Sequence, residues 1–171
     1  MTLALKHGEN RLCSYSDEWP GLFSAESAKI QNVCGELLIA IEHVGRTAVP
    51  GLMSKPIIDI LVSVETLSTA EKMIPGMETI GYDYPGDNGI PDDRIFGRDR
   101  HCRRFLVHVV VFQCDRWNNY LKFRDAVRAN KLLATEYANI KEAIVKKHPV
   151  GRGTYPELKQ EFIHRVLHQS H

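Results

Sequence analysis

The stretch IEHVGRTAVPGLMSKPIIDILV, residues 41–62, decides how this chain is read. Apolar, β-branched residues at its two ends predict two strands, Ile39 to Gly45 and Ile57 to Val64. Thr47 to Lys55 between them, with Pro50-Gly51 at its centre, reads as a turn. The second strand is apolar on both faces, as a covered central strand is, and Asp59 interrupts it. Alternation places Ile57, Asp59 and Leu61 on one face and Ile58, Ile60 and Val62 on the other. A carboxylate in so apolar a strand requires a cation, a metal or a hydrogen-bond donor, because burying it alone is prohibitive. A strand ending in glycine, a polar turn and a second strand bearing an acid set phosphates against backbone N–H groups beside a metal-binding carboxylate. Gly45, Arg46, Thr47 and Lys55 are therefore the expected phosphate contacts. Asp59 is the carboxylate in that arrangement. The stretch is no P-loop, since GxxxxGK[ST] is missing, as are GxGxxG and HExxH.

Outward from this stretch, Arg104 to Gln113 is the second strong strand. Its alternation sets His108 beside Arg104, Leu106 and Val110, while Phe105, Val107, Val109 and Val111 face the other way. If the two strands are neighbours, Asp59 and His108 can converge; the blander readings are an Asp59 that faces water at a strand end or pairs with Lys55, and a satisfied core histidine at His108. Trp19-Pro20 opens an amphipathic helix carrying Leu22, Phe23, Ile30, Val33, Leu37 and Leu38. A helix is expected from Glu65, ended by Pro75-Gly76, then a strand over Thr79 to Tyr84 and a surface loop over Pro85 to Asp93. Arg94 to Gly97 reads as a short strand. Asp115 is the expected cap of a helix over Arg116 to Asn130, and Leu132 to Lys147 and Tyr155 to Gln169 are two more. Strands dominate the middle and helices the end. The class is α+β (mixed α/β), with helices packed on a small sheet and one domain expected over residues 1–171.

The chain is 43% apolar and 25% charged, with a formal charge of +1. That balance argues against a globally basic nucleic-acid binder and against an acidic tail. It conceals polarity: residues 1–93 carry 6 basic and 14 acidic side chains, residues 94–131 carry 10 and 3, and residues 132–171 carry 6 and 4. The two halves are expected to meet at a cleft that holds an anionic ligand together with a cation. Arg98 and Arg104, before or on the His108 strand, and Arg124 join the candidate ligand contacts. Arg128 follows Arg124 at i, i+4, with a solvated helix face as its blander reading, and Tyr137 with Lys141 reads as a helix-packing pair. His43 points away from its neighbour Glu42. Four cysteines without CxxC spacing fit reduced thiols in the cytoplasm, and a zinc set from His101, Cys102, His108 and Cys114 is a poor one. No apolar run approaches the roughly 20 residues of a membrane span, and Met1 to Arg11 lacks the apolar core of a secretory signal.

The opening stretch resembles the signature of the GrpB family, whose usual form has Ser where this chain has Arg46. Trp19-Pro20, Phe23 to Glu26, Gly81-Tyr82, Phe96, the His108 strand, Trp117, Leu121 to Asp125, Arg128, Tyr137, Lys141 and Tyr155 to Phe162 extend the likeness from about Tyr15 to Ile163. The resemblance implies a fold like that of the nucleotidyltransferase superfamily, with a small central mixed sheet, and in some bacteria such a domain is fused to dephospho-CoA kinase. The superfamily's pattern is a Gly-Ser pair, an Asp-x-Asp strand and a third acid, which together bind divalent metals. Here Gly45-Arg46, Asp59-Ile60-Leu61 and His108 stand at those places. The reading that follows is a cytoplasmic enzyme binding a nucleotide with Mg²⁺ and transferring a nucleotidyl or related group to a small acceptor. Asp59 would hold the metal with the substrate phosphates, Glu42 would be a second metal ligand if the fold brings it round, and His108 would act as general base or orient the acceptor. Two alternatives stand beside it. One is a noncatalytic module binding an anionic metabolite or partner, favoured by the missing acids and by Arg46. The other is a condensing enzyme that forms an amide or ester.

Overall fold

The computed structural model describes residues 5–6, 11–86, 89–99, 101–147 and 156–168. The two most apolar segments become the middle of the sheet. They are β3 (Ile58–Val64) and β7 (Phe105–Val111), parallel neighbours in a five-stranded sheet of order β2-β3-β7-β5-β4. The other strands, β2 (Ala40–Val44), β4 (Tyr82–Asp83) and β5 (Arg94–Arg98), pair antiparallel, so the sheet is mixed. A small ribbon of β1 (Leu5–Lys6) and β6 (Cys102–Arg103) lies apart from it.

Both faces of β3 and β7 are covered, which is why their sequences are apolar apart from Asp59, Ser63 and His108. Ile58, Ile60, Val62 and Val64, with Phe105, Val107 and Val109, pack under α1 (Trp19–Cys34) and α2 (Leu67–Thr79), meeting Trp19, Ile30, Met73 and Met77. On the other face Val44, Leu61 and Val110 meet Trp117 of α3 (Asp115–Ala129). A separate cluster joins Val127 of α3 to Tyr137 of α4 (Lys131–Lys147) and to Phe162 and Val166 of α5 (Pro156–His168). Val49 and Leu52, from the loop after β2, complete it. The α+β class read from the sequence is the one the chain adopts, and no described helix is long and apolar enough to cross a membrane.

Several local expectations change. Pro75-Gly76 does not end α2, which continues to Thr79 and carries the fully buried Met77 into the core. Gly76 faces α1 instead: a Cβ there would lie 2.8 Å from the Val33 carbonyl oxygen, so the missing side chain lets the helices close. The chain turns only at Gly81, whose φ of +86° suits glycine. Helix α3 is capped by Cys114, whose Sγ accepts the Trp117 N–H at 3.4 Å, and Asp115 is its first helical residue. The strand expected over Thr79 to Tyr84 shrinks to two residues, because α2 has taken its beginning. The expected last helix begins at Pro156, while Tyr155 and Gln169 lie outside the described residues.

Candidate functional site

Parallel register does for Asp59 and His108 what alternation anticipates. Asp59 stands opposite Leu106 and His108 opposite Leu61, so both side chains leave the face covered by α3. His108 Nε2 lies 3.9 Å from Asp59 Oδ1. The other ring nitrogen, Nδ1, is 3.2 Å from Oδ2 of Asp93 and 3.3 Å from the Tyr120 hydroxyl. Asp93 precedes β5, is 1% exposed, and leaves Oδ1 without a hydrogen-bond partner; Arg116 Nη1 lies 3.7 Å from its Oδ2. Burial pushes the imidazole pKa down, but hydrogen bonds to Asp59 and Asp93 and their charges prevail and raise it to about 9. The two carboxylates thus favour the imidazolium, the proton-donating form of His108, at neutral pH.

Gly45 enters the turn at φ +72°, and a Cβ on it would run into Oδ2 of Asp59. The absent side chain allows the turn to close over the carboxylate. A 3₁₀ turn follows over Arg46–Ala48. Thr47 Oγ1 is 3.0 Å from His43 Nε2, and the His43 ring stacks on Phe23 at 4.8 Å. Burial first, then the Arg128 charge, lowers the His43 pKa to about 4, so this histidine is a neutral packing group. Arg46 goes elsewhere. Its guanidinium lies 5.9 Å from the centroid of the Tyr137 ring, and its buried Nη1 has no hydrogen-bond partner among the described residues. Lys141 Nζ lies 6.0 Å from the same ring. Burial and the positive charges of Lys159, Arg46 and Lys55 push the Lys141 pKa down to about 7, with Asp59 opposing. Lys159 is lowered by burial and by Arg46, again against Asp59. Arg46, Lys141 and Lys159 thus each act on the Asp59 charge, and Lys55 acts on Lys141, at a partly desolvated cleft between the turn, α4 and α5.

The remaining candidates are not brought there. Arg124 donates from Nη1 to Glu42 at 2.7 Å and to the His43 carbonyl at 3.0 Å, and from Nε to Asp125 at 2.8 Å, so Glu42 and Arg124 brace β2 against α3. Arg98 reaches the α1 side of the sheet and pairs with buried Glu26, which also accepts the Tyr82 hydroxyl at 3.0 Å. Arg104 Nε donates to Asp99 at 2.6 Å. Three groups escaped the sequence reading. Asp93 lies in a stretch rich in turn formers, Lys141 reads as a packing residue, and the signal for Lys159 is its spacing to Phe162 and Val166, which sets it on the buried stripe of α5.

The donor set does not fit a two-metal centre. Asp59 already faces His108, Glu42 is engaged by Arg124, and the Arg46 guanidinium adds a positive charge that acts on Asp59. Among the described residues no group of three or more His, Cys, Asp or Glu side chains is placed to hold a metal ion.

A mixed sheet with its glycine turn closed over a strand carboxylate defines a protein of nucleotidyltransferase-like fold. The likeness extends to the Cid1 poly(U) polymerase bound to MgGTP, with a TM-score of 0.52 at 11% identity over 78% of this chain and 44% of that one, which is a likeness of fold alone. The chain belongs to the GrpB family: the family described as GrpB protein matches residues 9–169. It is 32% identical over 172 residues to the glutamate-rich protein GrpB of Alkalihalophilus pseudofirmus, covering 98% of this chain and 99% of that one. The crystal structure of the conserved protein GrpB from Enterococcus faecalis is similar at a TM-score of 0.81 and 30% identity, over 91% of this chain and 94% of that one.

Proposed function

We propose that this protein binds a phosphorylated small molecule, a nucleotide being the leading class, and that its own cations neutralise the phosphates. The observation that carries the reading is Arg46, whose buried Nη1 lacks a partner within a cluster that also holds Lys55, Lys141 and Lys159. Like charges gathered in a desolvated cleft repel one another, and a polyanion removes that cost while meeting Arg46 with bidentate geometry. Backbone N–H groups of Gly45 to Thr47 lie beside the cluster for further phosphate contacts. Binding of an anion restores the Lys141 charge, so complex formation takes up a proton near neutral pH and weakens as pH rises above about 7.

Thermal unfolding with inorganic tripolyphosphate, ATP or CTP, each with a chelator and each with Mg²⁺, tests this. Ligand at a hundred times its dissociation constant contributes about 2.7 kcal/mol, a readily measured rise in Tm. The rise is expected with chelator present and is expected to vanish in Lys141→Met. Stabilisation seen only with Mg²⁺ would reject the cation reading and favour metal-assisted transfer. A second reading, transfer of a nucleotidyl or related group to a small acceptor, is supported by the imidazolium at Asp59: His108 can deliver a proton to a leaving group at the same cleft. Release of pyrophosphate from ATP or CTP on addition of small acceptors, lost in His108→Gln, is its test.

A further inference from the structure

A cavity of about 630 Å³ opens between α1, β2, α3 and the start of α4. Its lining contains none of Arg46, Asp59, Lys141 or Lys159, so it is separate from the cationic cleft, and the Ala48–Pro50 segment forms part of its wall. Pro20, Phe23, Val49 and Val127 give it apolar walls, and Phe23 is held flat by its stack on neutral His43. The polar groups are arranged asymmetrically. Glu42, the lining carboxylate, is engaged by Arg124, whose own donors are occupied by Glu42, the His43 carbonyl and Asp125. Arg128 and Lys131, by contrast, stand exposed at the mouth, Arg128 with Nη1 3.7 Å from the exposed Asp125 Oδ1. Arg128 is fixed there by the bond from its Nε to the Ala48 carbonyl at 2.7 Å. It opposes the upward push that burial and Asp17 give the Tyr15 phenol, which places its charge on the same cavity.

A concave, mostly apolar site of this size with a few convergent polar groups suits a small molecule. We infer that this cavity binds a small organic anion: a single carboxylate, sulfonate or phosphate head held by Arg128 and Lys131, with a compact aromatic or branched body on Phe23, Val49 and Val127. A polyphosphate does not suit it, because the floor is apolar. The inference stands independently of the phosphate cleft, since the two sites share no charged residue.

Anilinonaphthalene sulfonate, an aryl anion whose fluorescence rises on leaving water, is the probe. The folded full chain is expected to bind it saturably at one site. Removing the charge in Arg128→Met should weaken binding about tenfold, the scale of a lost charge-assisted hydrogen bond. Ser24→Trp, a substitution at the exposed rim, should block the cavity while leaving tripolyphosphate binding as in the parent chain, and Lys141→Met should leave probe binding unchanged. Lys131→Glu, also exposed, provides the same loss of probe binding if the tryptophan disturbs folding, with far-ultraviolet circular dichroism and the urea midpoint as checks. Failure to bind the probe, binding unaffected by both Arg128→Met and Lys131→Glu, or binding lost in Lys141→Met would overturn the assignment. Loss of tripolyphosphate binding by the parent chain would instead count against the phosphate cleft alone.

Discussion

His108 lies between two carboxylates, and its proton is what makes that arrangement tolerable: without it Asp59 and Asp93 would face one another across a neutral ring. Its folded pKa, about 9, lies above the ordinary 6.5, so the protonated form stabilises the fold. That contribution is complete below about pH 6.5 and is lost as pH rises towards 9. On the order of 2–3 kcal/mol should separate the parent chain from His108→Gln in urea unfolding near pH 6, with the gap closing above pH 9. A gap that ignores pH would mean that the ring is neutral in the folded protein. The Asp59–His108 meeting is legible from alternation, because a period of two fixes the face of every strand residue once the strands are paired. Asp93 is not legible in this way. It stands one residue before β5, at the end of PGDNGIPDD, where composition points to solvent and only the path of the chain carries the side chain inward.

At the scale of elements, Pro75-Gly76 is the instructive case. A proline inside a helix removes one ladder bond and the pair reads as a terminator, yet the burial of Met73 and Met77 on one stripe of α2 outweighs that loss. The pair has a second role in the contact with α1. Gly76→Ala would drive a methyl into the Val33 carbonyl and the Cys34 thiol, and should lower stability by about 1–3 kcal/mol in urea unfolding while leaving tripolyphosphate binding intact. Unchanged stability would mean that α1 and α2 separate without cost. Helices α4 and α5 are legible as helices from their periodicity, but which residues reach the cleft depends on how they lie across α3 and the turn. That is why Lys141 reads as packing; Arg98 reads as a ligand contact because the sequence does not show that β5 pairs with β7 in the register that sends Arg98 to Glu26 on the α1 side.

At the scale of the molecule, the charge polarity has a different use from the one expected. Part of the basic segment 94–131 meets the acidic first half in pairs, Arg98 with Glu26, Arg103 with Asp83, Arg124 with Glu42, and His108 and Arg116 with Asp93, while Arg104 and Arg128 find acids within the segment itself. The cations of the cleft come instead from Arg46 and Lys55 and from the late Lys141 and Lys159. Tyr137 links that cleft to the core. It carries Arg46 and Lys141 on its ring and stacks on Phe162 at 5.2 Å with an interplanar angle of 7°. Phe162→Ala should cost about 3–5 kcal/mol. It should also weaken tripolyphosphate binding, measured by isothermal titration below the unfolding transition. Lost stability with undiminished affinity would separate the aromatic layer from the placement of the cations.

Pairing across the sequence has a kinetic side. With opposite charges matched at short range and a formal total of +1, little field extends beyond the Debye length of about 8 Å in physiological salt. An anion diffusing towards this molecule is not drawn in from afar and meets the positive potential only at the mouth of the cleft. Encounter should therefore be nearly indifferent to ionic strength, and the distinction between one anion and another is made by how long each stays.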